Sequence, residues 1–150
     1  MFYKYVYLLE HIRVLEYDDE NCPIKERKRL GFFSTRKGAI EAISLLKTRP
    51  GFSKYPNDFV IKIAKLNTRN LKSFNKNNLK IYSVEHEYYK ANEDCDIVTQ
   101  CGFFCDLAIA EMYIKKLMAK RQFCNHPDCF NIYELMLNSI SELWSEGFET

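Results

Sequence analysis

Residues 31–67 read GFFSTRKGAIEAISLLKTRPGFSKYPNDFVIKIAKLN, and residues 102–138 read GFFCDLAIAEMYIKKLMAKRQFCNHPDCFNIYELMLN. The two stretches align without a gap at an offset of 71, with 12 of 37 positions identical. Among the identities are Gly31/Gly102, Phe33/Phe104, Ala39/Ala110, Phe52/Phe123, Phe59/Phe130 and Asn67/Asn138. Upstream the offset becomes 75, where Val6-Tyr7-Leu8-Leu9-Glu10-His11 faces Ile81-Tyr82-Ser83-Val84-Glu85-His86. Self-similarity at a fixed period marks a repeat architecture. The chain therefore reads as two copies of one unit, the first carrying four extra residues between its two blocks.

Each copy has the same order of signals. Residues 3–13 and 80–90 are rich in aromatic and β-branched residues, which suits a strand. An acidic stretch follows, Asp18-Asp19-Glu20 or Glu93-Asp94-Cys95-Asp96, and reads as a hairpin loop. A second strand runs into Gly-Phe-Phe. Ser34 or Thr35, and Asp106 in the second copy, stand where a side-chain oxygen caps a helix by accepting an orphan N–H. Ala39, Ala42, Ile43 and Leu46 form one apolar stripe at helical spacing. Pro50-Gly51 reads as the helix stop. A third strand follows at 59–63, matched by 130–135.

The expected fold class is α+β: two tandem β-β-α-β repeats forming a pseudo-symmetric sheet-plus-helices domain. The first repeat spans 1–67, a connector 68–79, and the second repeat with a C-terminal tail 80–150. The helix crosses one sheet face, right-handed where its flanking strands are parallel. Residues 139–148 read as a short turn and an ordered tail, with Trp144 docked on the body because a free indole forgoes burial.

Composition narrows the class. The chain has 150 residues, 47% of them hydrophobic and 28% charged, with only five Gly and four Pro. That suits one folded domain and excludes collagen-like or Pro/Gly-rich disorder. No apolar run approaches the roughly 20 residues of a membrane span. The first residues, MFYKYVYLLEHIR, lack the long apolar core and small-residue cleavage site of a signal peptide. A cytoplasmic location is expected.

The motifs Val6–His11 (VYLLEH), Gly31–Thr35 (GFFST), Pro50–Phe52 (PGF) and Trp144–Phe148 (WSEGF) carry a resemblance. The chain resembles a functionally uncharacterised family of small bacterial proteins running Val-Tyr-Leu-Leu-x-His, then Pro-Gly-Phe, then Trp-x-Glu-Gly-Phe. The second copy replaces Pro-Gly-Phe with Arg121-Gln122-Phe123. The resemblance implies a cytoplasmic protein of toxin, immunity or mobile-element neighbourhoods, and brings no catalytic residue with it.

The candidates for chemistry start with two Glu-His pairs, Glu10-His11 and Glu85-His86. Neighbours on a strand point to opposite faces, so neither pair forms a side-by-side dyad. His11 shares a face with Tyr7 and Leu9, and His86 with Tyr82 and Val84. A polar ring there reads as a structural histidine, hydrogen-bonded to a backbone carbonyl or a Tyr. Cys101, Cys105, Cys124 and Cys129, with His126, imitate a zinc ribbon. A helix of about 15 residues between the two pairs separates them by some 22 Å, too far for one ion. In the first copy Leu30, Ser34, Ser53 and Asp58 stand at the four cysteine positions. No metal and no cofactor are expected, and reduced thiols in place of disulfides. No phosphate loop, nucleophile elbow or His-Glu-x-x-His is present, so no catalytic residue is assigned and no enzyme is expected.

Charge is unevenly divided. Residues 1–75 carry +7 and residues 76–150 carry −5. Lys25, Arg27, Lys28 and Arg29 form a basic run that could contact phosphates, or sit opposite Asp18-Asp19-Glu20 across a hairpin. The second helix carries Ile109, Met112, Tyr113 and Met118 beside its core stripe of Ala110, Ile114 and Leu117, which implies a second packing partner.

The expected function is a non-enzymatic protein-binding protein of immunity or inhibitor type. It neutralises a toxin or effector, and its partner is a basic protein held by Glu85, Glu87, Glu93, Asp94, Asp96 and Met112. The alternative is a nucleic-acid-associated module using Lys25, Arg27, Lys28 and Arg29. No membrane partner is expected.

Overall fold

Alternating aromatic and aliphatic residues make Phe2–Tyr17 a strand of 16 residues, β1. The elements that follow are β2 (Pro23–Phe33), α1 (Arg36–Leu46), β3 (Phe59–Thr68), a 3-10 turn (Leu71–Asn75), β4 (Lys80–Lys90), β5 (Cys95–Phe104), α2 (Leu107–Met118) and β6 (Phe130–Met136). The computed structural model describes residues 1–19, 23–75, 78–93 and 95–141. Among them the fold is α+β, with two α-helices and a sheet of six strands in the order β2-β1-β3-β5-β4-β6.

The chain divides into two compact units. One consists of Tyr5–Ala64 with Met136–Thr150 and contains α1. The other consists of Met1–Lys4 with Lys65–Leu135 and contains α2.

In the α1 unit, β1 and β2 are antiparallel, with Tyr7 opposite Phe33, Leu9 opposite Gly31, Glu10 opposite Arg29 and Val14 opposite Lys25. The register slips after Leu9, leaving Leu30 as the extra residue of a bulge. Thr35 caps α1: its hydroxyl accepts the Gly38 N–H at 3.0 Å. Ala39, Ala42 and Leu46 turn inward onto Leu9, Leu30, Phe33 and Phe52, and Tyr7, Ile43, Phe59, Ile61 and Ile140 close the cluster. Full burial of one such large apolar side chain contributes about 1.5–3 kcal/mol.

Ile140 belongs to a segment that lies along β2. Leu137 forms a parallel bridge to Phe32. Asn138 then turns at φ 61. Its N–H donates to the Phe32 carbonyl and the Ser141 N–H to the Leu30 carbonyl, both at 2.7 Å. The approach is close enough that a Cβ at Gly31 would stand 2.5 Å from the Ser139 carbonyl oxygen.

The α2 unit uses the same local devices. β4 and β5 are antiparallel, with Tyr82 opposite Phe104, Val84 opposite Gly102 and Glu85 opposite Gln100, and the register slips after Val84. Asp106 caps α2 by accepting the Ala108 N–H at 2.8 Å. The core joins Val84, Phe104, Ile109 and Ala110, with Tyr82, Cys101, Tyr113, Ile114, Phe130 and Ile132 packed on it. The end of β3 pairs in parallel with β5, Leu66 opposite Phe103. The Asn67 carbonyl accepts the Cys105 N–H at 2.9 Å, and its side-chain amide donates to the Phe103 carbonyl at 3.1 Å.

Several sequence expectations need correction. β3 runs to Thr68, not Ile63, and the stretch read as connector holds a 3-10 turn. α1 ends at Leu46, with Lys47 as its cap, before Pro50-Gly51 is reached. Gly51, at φ 81, shapes the loop beyond the helix instead of stopping it. Asp96 lies within β5, opposite Tyr89, not in a hairpin loop, because Lys90 already pairs with Cys95. Ile109 is buried and Tyr113 packs beside it in the α2 unit's own core, so they form no second-partner stripe. Asp18 and Asp19 do not oppose the basic run. The register sets Lys25, Arg27, Lys28 and Arg29 against Val14, Ile12, His11 and Glu10. Glu20, Asp94 and the Trp144–Phe148 motif lie outside the described residues.

Candidate protein-binding face

Strand alternation sorts each hairpin into two faces. On β4, Tyr82, Val84 and His86 turn toward α2, and Ser83, Glu85, Glu87 and Tyr89 turn the other way. The partners of the second set on β5 are Phe103, Gln100, Val98 and Asp96. Beyond Ser83 and Phe103 this second face is open. Asp96 and Gln100 are exposed, and Tyr89 and Val98 retain 59% and 58% of their surface. Tyr133 of β6 joins it by donating from its hydroxyl to Glu87 Oε1 at 2.9 Å. Gln100 ties the bulge together: its amide nitrogen donates to Ser83 Oγ at 2.9 Å, and its amide oxygen accepts the Gly102 N–H at 2.9 Å.

The face thus carries Glu85, Glu87 and Asp96 among aromatic and aliphatic groups. Glu93 lies at the turn, exposed, and is ion-paired to Lys90 at 2.8 Å. Met112 sits on α2, with its sulfur 2.9 Å from an Arg69 guanidinium nitrogen. Of the residues expected to bind a partner, then, three share one face, Glu93 flanks it, and Met112 stands on the helix. Tyr89, Val98, Gln100 and Tyr133 belong to the face and were not singled out from sequence. Alternation from His86 and a two-strand register would have placed the first three.

The opposite, helix-facing side of each hairpin is fixed by its histidine. His11 is fully buried, and its Nε2 donates to the Tyr55 carbonyl at 2.9 Å. Phe52 and Phe59 hold the ring at centroid distances of 5.0 and 4.6 Å, and the Arg13 guanidinium lies 4.0 Å over the Tyr55 ring. In the other unit His86 donates to the His126 carbonyl at 2.8 Å, between Phe123 and Phe130, each at 4.7 Å. The backbone repeats the link one residue on: Ile12 N–H bonds the Asp58 carbonyl and Glu87 N–H the Cys129 carbonyl, each at 2.9 Å. Each imidazole pins the loop after its helix to the first strand of its hairpin. Burial holds His11 below its ordinary pKa of 6.5. The bond to the Tyr55 carbonyl and the nearby Asp58 oppose that shift, and Lys28 and Arg13 add to it. Glu10 faces away from His11, buried, with its carboxylate 2.8 Å from Lys62 Nζ.

The basic run is split by the same alternation. Arg29, Arg27 and Lys25 share one face with Glu10, Ile12 and Val14, open at Lys25 and Arg27 and closed at Glu10, whereas Lys28 stands opposite His11 on the helix side and is buried. The four therefore do not form one patch. Cys101 and Cys105 lie at the end of β5, Cys124 and Cys129 in the loop before β6. Burial pushes the Cys101 thiol up. Among the described residues no group of three His, Cys, Asp or Glu side chains is placed to hold a metal. No helix among them is long and apolar enough to cross a membrane. Compared with family models, curated proteins and solved structures, the chain matches none.

Proposed function

We propose that this chain is a non-enzymatic binding module of immunity or inhibitor type, and that the open β4–β5 face takes a basic protein. The observation that carries the reading is the placement of Glu85, Glu87 and Asp96 on one open sheet face with Tyr89, Val98 and Tyr133. Carboxylates steer a cationic partner into register, and the aromatic and aliphatic groups supply apolar area at the contact. We also propose that the two units are tandem copies of one β-β-α-β design. The paired registers, bulges, helix caps and histidine links support that reading, as does the alignment of residues 31–67 with 102–138. We propose as well that the chain is a cytoplasmic relative of the small bacterial proteins that its Val6–His11 and Pro50–Phe52 motifs resemble.

The test is affinity capture from the source cell with wild-type protein and with Glu87→Lys/Asp96→Lys. The reading expects one stoichiometric basic protein, bound by wild type and lost from the variant. Equal capture by both overturns it.

A second reading is favoured by Lys25 and Arg27, exposed on one face of β1–β2 with Arg29 half-buried beside them: a nucleic-acid contact. Each phosphate neutralised contributes about −0.9 to the slope of log K against log salt on duplex DNA. Lys25→Ala/Arg27→Ala should remove most of such binding. Salt-independent binding, or none, excludes it.

A further inference from the structure

The open faces of the two hairpins differ in charge at matched register. On β1–β2, Arg27 stands beside Ile12 and Lys25 beside Val14. On β4–β5, Val98 stands beside Glu87 and Asp96 beside Tyr89. Lys25 and Arg27 are exposed, as is Asp96, and among the described residues none of the three is in an ion pair.

The spacings also correspond. Two residues along a strand put Lys25 and Arg27 about 7 Å apart. Glu87 and Asp96 are diagonal neighbours across an antiparallel pair, about 7–8 Å apart. Each charged pair lies among apolar side chains: Ile12 and Val14 on one face, Val98 and Tyr89 on the other. A sheet face carrying two cations thus meets a sheet face carrying two carboxylates at the same interval.

We infer that the occupant of the β4–β5 face, when no other basic protein holds it, is the β1–β2 face of a second copy of this chain. Arg27 and Lys25 of that copy sit against Glu87 and Asp96, and the aliphatic groups beside them close the contact. The contact is heterologous, since each copy offers one face of each sign, so association continues past the dimer unless it closes into a ring. It is also salt-sensitive, because the Debye length falls from about 10 Å at 0.1 M to about 3 Å at 1 M. The inference rests on the β4–β5 face being a docking surface, and it makes self-association the state from which a foreign partner must displace a copy.

The experiment is sedimentation velocity on the purified full chain over a concentration series at low and high salt. The proteins are wild type, Lys25→Glu/Arg27→Glu, Asp96→Lys, and an equimolar mixture of the two variants. Asp96→Lys alters one exposed strand residue, and thermal melts establish that each variant is folded. Wild type should grow in mass with concentration at low salt and lose at least tenfold in association at high salt. Each variant alone should weaken by at least tenfold. The mixture should regain association, because the unaltered basic face of one variant meets the unaltered acidic face of the other. A wild-type protein that stays monomeric throughout overturns the inference, and so does a mixture no more associated than its folded components. If wild type stays monomeric yet captures a basic protein that Asp96→Lys does not, the self-association fails and the binding function stands.

Discussion

His11 combines full burial with a donor to the Tyr55 carbonyl and a pKa held below 6.5 by desolvation. The unfolded chain takes up this proton first as the pH falls. Its contribution to stability is complete above about 6.5 and is lost as the pH drops below that value, through the lower folded pKa. A series of urea midpoints from about pH 7.5 to about pH 5 should fall for wild type and fall less steeply for His11→Gln, whose amide keeps a donor without gaining a charge. An equal slope in both proteins would remove His11 as the cause. Phe52, fully buried against that ring, should cost about 3–5 kcal/mol on replacement by Ala, read as a lowered denaturant midpoint. At this scale the sequence is informative: two histidines on apolar strand faces need a partner, a backbone carbonyl or a Tyr, and both find carbonyls. Which carbonyls they found was not legible, because Tyr55 and His126 come from loops whose path depends on the packing of Phe52 and Phe123.

At the scale of elements, the caps and the turns tell different stories. Thr35 and Asp106 are legible caps because a short oxygen-bearing side chain before an apolar stripe has one efficient use. Thr35→Ala should lower stability by about 1 kcal/mol, measured as a shift in thermal midpoint with α1 still formed. The hairpins were harder to read. A single bulge residue, Leu30 or Cys101, changes which side chains share a face, and no composition rule announces it. Plain alternation separates Lys28 from Lys25, Arg27 and Arg29, and a short turn closed by Lys90 and Cys95 puts Asp96 in the strand; neither is legible until the strand bounds are known. Gly31 illustrates the tighter constraint. Because a Cβ there would meet a backbone oxygen, Gly31→Ala should dislodge residues 139–141 from β2. Faster proteolysis after residue 136 at unchanged α2 protection is the expected sign.

At the scale of the whole molecule, the alignment of residues 31–67 with 102–138 led to α+β with strands and helices in the observed order. It did not indicate which residues each compact unit would recruit. The α1 unit takes Met136–Thr150 from the far end of the chain, and the α2 unit takes Met1–Lys4 from the near end. Nothing in local propensity encodes that assignment; it follows from long-range pairing, such as Leu137 with Phe32. A chain stopped after Met136 should therefore show faster amide exchange in β1 and β2 while β4, β5 and α2 keep their protection.

The same recruitment sets an order of events on the ribosome. Residues 5–64 are synthesised early, but the carbonyls of Leu30 and Phe32 receive their donors only after Ser141 has left the exit tunnel. The α1 unit must wait for residues made after those of the α2 unit before its fold is complete. The second half has its own early contribution, Met1–Lys4, waiting when it emerges. Translation speed through residues 65–135 thus decides how long a nascent β2 spends with an open edge.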